Sequence, residues 1–429
     1  MQRNNITAFA LATPNRGDNN QILGAFNAIK AIANPSWDYA KSFLFANNEA
    51  DISNVKEAFL YSDFENYESF KARVFELLEI FFQKNSNIPN IFITVSAQTE
   101  SQAAGENVDM LCRAIKEYYC EHNLGPIVTS VLNSKYYRYK FVDLINIPKH
   151  LLTFSSRIRL IKDTSIASKS LVTTGTVHNF TKDMLMLEHE KLLNTLNNSF
   201  TKPQVVNQIE KIKKFANTSK KVVFCLGGRV EGNEIIFDIS YAEKLFNDAL
   251  MLDKLGYGVI FVNGPRTPNN VTDFLYQKAL LHPRLTFQNS KIIAQDNIDR
   301  DYKRWRIYSG NYEEEFKNLE EIGNIYPAIL GFPNTLVVHT LDTYACCETI
   351  NALIPTAIST KGLYINPKIR YDCLNLYELL CPKHAVDFDE FLINTTNFKV
   401  EPKDLKLQHL SNSSMVFAET LINKIIEIS

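Results

Sequence analysis

The sequence predicts an α/β protein built from mostly parallel, doubly wound sheets. Short apolar runs of buried-strand type alternate along the chain with longer segments of helical periodicity. Several of these runs end at glycines or at clusters of polar residues, as strands do where they lead into helices. The 429 residues exceed what one hydrophobic core usually accommodates, so we expect two domains.

The composition is that of a globular protein without a strong charge bias. Hydrophobic residues make up 45% and charged residues 22%, and 46 basic residues stand against 47 acidic ones. This balance argues against nucleic acid as a partner. No apolar run approaches the roughly 18 residues that span a bilayer, although peripheral contact with a membrane stays open. The lack of a signal-peptide pattern and the odd number of cysteines, seven, favour a cytoplasmic protein with reduced thiols.

The first half of the chain opens with a strand-like run at residues 6–12, which leads into a polar stretch. We expect residues 13–20 to form a loop and residues 21–32 to form a helix. Eight residues are many for a plain strand-to-helix connection, which favours a binding site here over a simple turn. The candidate site residues of this stretch are Arg16, Gly17, Asp18, Asn19, Asn20 and Gln21.

Further strands are predicted in the first half, at residues 91–95, 127–131, 142–147 and 171–174. The aromatic-rich segment 37–88 has helical periodicity, and we interpret its aromatic stripe as core. His150 follows one predicted strand, and Thr174 and Gly175 close another, which makes them further candidates. For His150, a structural role is the equal alternative.

The clearest α/β pattern lies at residues 221–268. Two buried-strand runs, 222–226 and 259–262, each end at a glycine that an arginine soon follows. Parallel α/β units bind ligands at the carboxyl ends of their strands, where glycine lets backbone N–H groups approach a phosphate and arginine grips it in two places. The alternative is that both are ordinary turns. The candidate diphosphate-binding residues are Gly227, Gly228, Arg229, Asn263, Gly264, Arg266 and Thr267.

A third run, at residues 336–338, ends in a polar stretch before a helix. Asp342 or Thr343 is suited to cap that helix, whose N-terminus would favour a phosphate. Thr340 joins these candidates, and Glu348 is either a ribose ligand or a solvated helix residue. We predict domains at 1–200 and 205–410, with a final helix in 411–429. We predict no metal site, and we expect the acidic pair at 387–389 to be solvated.

Four segments, in chain order, resemble the mitochondrial fission ELM family, which is widespread in bacteria, is known in plants and is similar to the GT-B glycosyltransferases. The segments are 16–24, 147–150 with 171–176, 266–268, and 337–348. The resemblance implies a bacterial protein with two Rossmann-like domains facing each other across a cleft and a final helix crossing back to the first domain. It also implies acceptor binding by the first domain and nucleotide-sugar binding by the second.

The function that follows is metal-independent transfer of a sugar from a nucleotide-sugar donor to an acceptor, with no further cofactor. Inverting transfer needs a base that deprotonates the acceptor hydroxyl and donors that stabilise the leaving nucleoside diphosphate. Asp18 is the candidate base and His150 is the alternative. The second hypothesis is a non-catalytic ELM-type adaptor that acts in membrane fission or recruits a partner. The sugar, the nucleotide base, the acceptor and the stereochemistry stay open.

Overall fold

The chain folds into two compact units. The first comprises Met1–Asn179 and Ser411–Ser429, and the second comprises Phe180–Leu410. The computed structural model describes residues 6–11, 16–32, 61–84, 91–97, 102–134, 139–152, 154–197, 203–227, 235–264, 267–289, 325–340, 345–365 and 371–428.

The first unit contains a parallel five-stranded sheet whose strands lie in chain order, β1 to β5. The strands are β1 (Ile6–Leu11), β2 (Ile91–Ala97), β3 (Ile127–Leu132), β4 (Leu144–Pro148) and β5 (Ser170–Thr173). The helices are α1 (Arg16–Ile32), α2 (Tyr67–Lys84), α3 (Gln102–Glu121), α4 (Phe154–Lys162), α5 (Thr164–Ala167) and, from the end of the chain, α14 (Ser413–Ile428).

Each face of this sheet has its own apolar cluster. On one face, α2 and α3 pack through residues such as Val74 and Ile115. On the other face, α1 and α14 pack together through residues such as Ile22 and Leu421. The predicted return of the final helix to the first domain is therefore confirmed, and so is the interpretation of the aromatic stripe of α2 as core, since Phe70 is fully buried.

The second unit contains a parallel six-stranded sheet with the order β13-β11-β10-β6-β8-β9 and a separate ribbon of β7 and β12. The strands are β6 (Lys221–Leu226), β7 (Ile235–Ile236), β8 (Gly258–Asn263), β9 (Leu285–Asn289), β10 (Thr335–His339), β11 (Thr356–Ile358), β12 (Tyr364–Ile365) and β13 (Val386–Asp387). The helices are α6 (Lys182–Leu196), α7 (Pro203–Asn217), α8 (Ile239–Lys254), α9 (Asn269–Leu281), α10 (Tyr326–Leu330), α11 (Ala345–Asn351), α12 (Tyr371–Leu380) and α13 (Phe388–Phe398).

The predicted fold class, two parallel α/β units, is confirmed. The division between the units falls at Asn179–Phe180, whereas the expected boundary lay near residues 200–205. The reason is that α6 belongs to the core of the second unit, where Leu185 and Leu192 join the cluster that contains Ile329. The polar stretch around residue 200 therefore links two helices of the same unit.

Two further expectations are corrected. The stretch expected to be a loop at residues 13–20 is helical from Arg16 onward, so Asp18 and Gln21 belong to the first turns of α1. The acidic pair at 387–389 is partly exposed, but both carboxylates have partners. Asp387 caps α13 by accepting a hydrogen bond from the backbone N–H of Glu390, and Asp389 forms an ion pair with Lys244 at 3.0 Å.

Candidate functional site

The strand order of the second unit reverses at one place. From β6 the chain proceeds through β8 to β9 on one side, and it then returns to the other side of β6 for β10, β11 and β13. In open α/β sheets, ligands bind outside the carboxyl ends of the strands at such a reversal, because the loops there diverge to opposite faces and leave a crevice. The carboxyl ends of β6 and β10 therefore mark the candidate site.

A hydrogen bond joins the two loops at this reversal. The backbone N–H of Gly227, directly after β6, donates to the hydroxyl oxygen of Thr340, directly after β10, at 2.6 Å. The N–H of Thr340 donates in turn to the carbonyl of Cys225 at 3.3 Å. These bonds extend the pairing of β6 and β10 by one residue, and they fix the point from which both loops leave the sheet.

The loop after β8 is tied to the same place by Thr267, which is almost completely buried. The Thr267 hydroxyl lies 2.9 Å from the carbonyl oxygen of Leu226 and 3.0 Å from that of Gly227. It also accepts the N–H of Gly264 at 2.9 Å. The predicted residues Gly227, Gly264, Thr267 and Thr340 thus lie together, and their hydrogen bonds form a brace at the carboxyl ends of β6, β8 and β10.

Asn263 and His339 end their strands on either side of this brace, and both are buried. The side-chain amide of Asn263 approaches the hydroxyl of Thr272 in α9 at 3.4 Å. The imidazole Nε2 of His339 lies 2.9 Å from the hydroxyl of Thr349 in α11. His339 thereby fixes α11 to the end of β10, and the partly exposed Glu348 lies on the same helix.

A tyrosine hydroxyl supports the end of the neighbouring strand β11. Tyr241 in α8 donates from its hydroxyl to Ser359, just after β11, with the oxygen atoms 2.8 Å apart. Burial raises the pKa of the Tyr241 phenol well above its usual range, so the group stays a neutral donor. Gly362, with φ at +91°, lets the chain pass close to the ring of Tyr241.

Five of the predicted ligands lie outside the described residues: Gly228, Arg229, Arg266, Asp342 and Thr343. Gly227, Gly264 and Thr340 are the last described residues before them in the sequence. Their roles as diphosphate ligands stay predictions.

The predicted acceptor-side residues of the first unit divide into two groups. Asp18 and Gln21 are buried in the first turns of α1, and Asn20 is partly exposed; Arg16, Gly17 and Asn19 lie in the same turns. Gly175 follows β5, and its N–H donates to the Ser413 hydroxyl at 3.2 Å. Thr174 is partly exposed beside it.

His150, the alternative base, lies in a short 3₁₀ turn after β4 and is only 1% exposed. That degree of burial is typical of a packed histidine, and access to it would require a rearrangement. Asp18 is 5% exposed. The role of either residue as a base stays a prediction.

Sequence reasoning missed two buried asparagines that organise the carboxyl ends of β3 to β5. The side chain of Asn133 bonds both the N–H and the carbonyl of Val177 at 3.0 Å. The amide of Asn146, inside β4, donates to the Thr173 hydroxyl at 3.0 Å. The signal was present, because Asn146 interrupts an apolar run and a buried amide in a strand requires partners.

Two kinds of feature are absent from the described residues. No helix among them is long and apolar enough to cross a membrane. Within the same ranges there is no group of three or more histidine, cysteine, aspartate or glutamate side chains placed to hold a metal ion.

No family model matches the chain, and no curated protein matches it. The resemblance to the ELM family and the bacterial origin therefore stay predictions. Solved structures with which the chain aligns include the UDP-GlcNAc 2-epimerase of Neisseria meningitidis bound to UDP-GlcNAc, at 10% identity and a TM-score of 0.46, covering 98% of this chain and 99% of that one. Another is the UDP-GlcNAc 2-epimerase of Methanocaldococcus jannaschii with UDP-GlcNAc and UDP, at 10% identity and a TM-score of 0.41, covering 98% of this chain and 99% of that one. A third is MurG of Acinetobacter baumannii, at 8% identity and a TM-score of 0.36, covering 99% of each chain.

Proposed function

We propose that the second unit binds the diphosphate of a nucleotide sugar, and that the protein is a glycosyltransferase. The observation that carries the proposal is the strand-order reversal between β6 and β10, where Gly227 and Thr340 lock two loops together at 2.6 Å. A crevice at such a reversal is the usual place for a nucleotide in this class of sheet. Hydrogen bonds join the residues at the carboxyl ends of β6, β8 and β10 there.

In this proposal the brace positions the arginines that follow it. Arg229 comes two residues after Gly227, and Arg266 two residues after Gly264. Fixing the base of each loop lowers the conformational entropy that an arginine loses when it binds a diphosphate. A guanidinium is suited to this task because it makes two parallel hydrogen bonds to phosphate oxygens.

Glycosyl transfer further requires a base for the acceptor hydroxyl and stabilisation of the leaving diphosphate. We propose Asp18 as the base, with His150 as the alternative, and Arg229 and Arg266 as the groups that stabilise the diphosphate. Metal-independent chemistry is part of the proposal, because the arginines would neutralise the leaving group. The adaptor hypothesis has no support from any comparison.

The test is the affinity for nucleoside diphosphates of the wild type and of Arg266→Ala and Arg266→Lys. We expect Arg266→Ala to lose about 1.5–3 kcal/mol of binding free energy, the range for hydrogen bonds to charged groups. Arg266→Lys should recover only part of it, since an ammonium cannot make the two-pronged contact. Calorimetric titration, beginning with UDP, measures these affinities.

The matched control is Arg284→Ala in the same unit. Arg284 is an exposed arginine that pairs with Asp253 at 2.8 Å, so its removal should leave nucleotide affinity unchanged. Equal affinities for the wild type and Arg266→Ala would remove Arg266 from the site. Failure of every nucleoside diphosphate and nucleotide sugar to bind the wild type would refute the proposed function.

A further inference from the structure

The two most exposed large apolar side chains of the second unit lie at the same end of its sheet. Among the described residues of this unit they are Leu281, 82% exposed, and Phe398, 73% exposed. Leu281 is the last residue of α9, which leads into β9, and Phe398 is the last residue of α13. A single exposed leucine is ordinary on a folded surface, whereas a leucine and a phenylalanine at one end of a sheet require an explanation.

Hydrogen bonds place the end of α13 beside the start of β8. Tyr257 directly precedes β8, and its hydroxyl lies 2.9 Å from that of Thr395. The same hydroxyl donates to the carbonyl of Val400 at 3.2 Å. Phe398 lies between these two partners along the chain, so it belongs to the end of the sheet at which β8 begins.

The end of α9 and the start of β10 are tied to the same place. The ammonium of Lys211 in α7 donates to the carbonyl of Ala279, in the last turn of α9, at 2.8 Å. The side-chain amide of Asn334, directly before β10, donates to the carbonyl of Ser219 at 2.9 Å and accepts the N–H of Lys403 at 3.1 Å. Because β10, β6, β8 and β9 are neighbours in one parallel sheet, their starts lie side by side. Together these parts form the amino edge of the second unit, which consists of residues 214–220, 253–257, 280–284, 331–334 and 398–404.

The amino edge is positively charged, although the whole chain has a net charge of −1. Its basic side chains are Lys214, Lys220, Lys254, Arg284, Lys399 and Lys403, and its acidic ones are Asp253, Glu401 and Asp404. Arg284 pairs with Asp253 at 2.8 Å. Lys403 pairs with Glu401 at 3.0 Å. Four lysines therefore remain against one carboxylate, and three of them are exposed while Lys220 is partly exposed.

Two simpler explanations cover only part of this arrangement. A lysine near the end of a helix stabilises the helix dipole, which accounts for Lys214 and Lys254 but not for an exposed leucine or phenylalanine. A nucleic acid would bind the lysines and could stack on Phe398, but it offers no apolar environment to the aliphatic side chain of Leu281. The boundary between water and lipid satisfies both kinds of side chain. Lysines bind anionic head groups there, while apolar side chains enter the acyl region.

We propose that the amino edge docks on a bilayer surface that contains anionic lipids. Leu281 and Phe398 would enter the boundary between the head groups and the acyl chains, and the surrounding lysines would lie among the head groups. The candidate nucleotide site lies at the opposite, carboxyl ends of the same strands, so lipid and nucleotide would bind at different ends of the second unit. Membrane docking therefore does not depend on the proposed function.

The experiment is sedimentation of the full chain with phospholipid vesicles. One preparation contains phosphatidylcholine with about one third phosphatidylserine, which gives the surface a negative potential, and the other contains phosphatidylcholine alone. We expect binding to the first preparation to be at least about tenfold stronger, because each lysine near an anionic surface is attracted to it. Raising the salt concentration should weaken this binding, since exposed charges are screened.

Three variants test the residues of the amino edge. Lys254→Gln should weaken binding to the anionic vesicles about fivefold, the effect of one basic residue near such a surface. Leu281→Ser and Phe398→Ser should each weaken it at least about fivefold, because burial of the apolar side chain in the lipid is lost. Melting temperature and UDP affinity should stay unchanged, since all three side chains are exposed and lie away from the candidate crevice.

The matched controls change exposed residues of the same unit outside the amino edge. Lys361 follows β11 at the carboxyl end of the sheet, so Lys361→Gln removes the same charge at the opposite end. Ile393 is 58% exposed and precedes Phe398 by more than one turn of α13, so Ile393→Ser removes an apolar side chain away from the edge. Both controls should bind the anionic vesicles as the wild type does.

Several results would overturn the proposal. They are a wild type that sediments with neither preparation or equally with both, equal losses in Lys254→Gln and Lys361→Gln, and equal losses in Phe398→Ser and Ile393→Ser. Single-stranded RNA that binds the protein and displaces it from the vesicles would identify the amino edge as a nucleic-acid surface instead. If the protein binds vesicles but no nucleotide, the proposed function fails and the membrane inference stands. If nucleotide binds and no vesicle does, the membrane inference alone fails.

Discussion

In the first unit five parallel strands lie in chain order, whereas in the second unit the order reverses between β6 and β10. Crossovers between parallel strands are almost always right-handed, so strands laid down in one direction send their helices to one face. A reversal sends later helices to the opposite face and opens a crevice between the two sets. The second unit thus gains two helical layers and a candidate ligand crevice from its own strand order.

The first unit obtains its second layer in another way. Its helices α2 and α3, with α4 and α5 contributing partly buried residues, lie against one face, as the chain-order sheet requires. The opposite face is covered by α1 and by α14, which comes from the far end of the chain. One sheet is thus completed by the order of its strands, and the other by its first helix together with a distant one.

The largest effect on stability should come from α14, whose Ile425 is fully buried. Ile425→Ala should cost about 2–5 kcal/mol, because it leaves a cavity in the core of the first unit. The neighbouring Ile426 is 42% exposed, so Ile426→Ala is the control and should change stability by less than about 0.5 kcal/mol. Hydrogen exchange resolved by residue should show a loss of stability in the first unit alone. An equal loss in both units would mean that α14 does not stabilise the first unit separately.

The next effect concerns the separate roles proposed for the two units, catalysis by Asp18 in the first and nucleotide binding in the second. Asp18→Asn should reduce turnover by about a hundredfold or more, the usual contribution of a general base. The reason is that an amide cannot take up the proton of the hydroxyl group that attacks the sugar. Nucleotide affinity should stay the same, since the proposed nucleotide site lies in the second unit. Steady-state kinetics and calorimetric titration check the two halves of this expectation. If affinity falls as far as turnover, Asp18 is not the base.

A smaller effect is expected at the strand-order reversal. Thr340→Val keeps the shape of the side chain but removes the oxygen that accepts the Gly227 N–H, which leaves a buried donor unpaired. The expected cost is about 1–3 kcal/mol in the unfolding of the second unit, together with weaker UDP binding. Thr340→Ser keeps the oxygen and serves as the control. Wild-type behaviour of Thr340→Val would show that the brace does not shape the site.

The smallest effect is a dependence on pH confined to the second unit. Burial raises the pKa of the Asp248 carboxyl, although the ammonium of Lys244, 2.8 Å away, opposes the shift. A raised folded-state pKa means that the folded state binds the proton more tightly than the unfolded state, whose pKa is about 3.9. The stabilising contribution is therefore fully present below about pH 4 and is lost as the pH rises through the folded-state value.

Asp248→Asn should remove this dependence. Urea unfolding followed from pH 3 to pH 7 would show the variant gaining stability relative to the wild type as the pH rises. The first unit should be unaffected, because Asp248 lies in α8. Parallel pH profiles of the two proteins would mean that the burial of Asp248 has no net effect on folding.

The strands were the most predictable part of the fold, because their apolar, β-branched runs differ clearly from the segments around them. The start of α1 was not predictable, since Gly17, Asp18 and Asn19 are poor helix formers in isolation. The helix forms there although propensity disfavours it, and Asp18 and Gln21 are buried in its first turns. The division at residue 180 was likewise decided by the packing of α6, which no local pattern reveals.

For the candidate site, the sequence indicates which residues gather at the strand ends, but not which of them bond. Gly227, Gly264 and Thr340 each follow an apolar run, and parallel strands bring such positions to one edge. That Thr340 accepts from Gly227 depends on β10 lying beside β6 rather than beside β9, which only the folded sheet decides. The buried amides of Asn133 and Asn146 were missed because asparagine usually indicates a turn.

The placement of α14 has a consequence for folding of the chain during its synthesis on the ribosome. Residues 1–179 emerge first, yet the helix that covers one face of their sheet is separated from them by the whole second unit, about 230 residues. At roughly 5–20 residues per second, translation of that stretch takes on the order of 10–50 seconds. Throughout that interval the apolar face that Phe417 and Leu421 later cover remains open on the nascent chain. The second unit, although made later, can therefore reach its complete form first, while the first unit waits for its last helix.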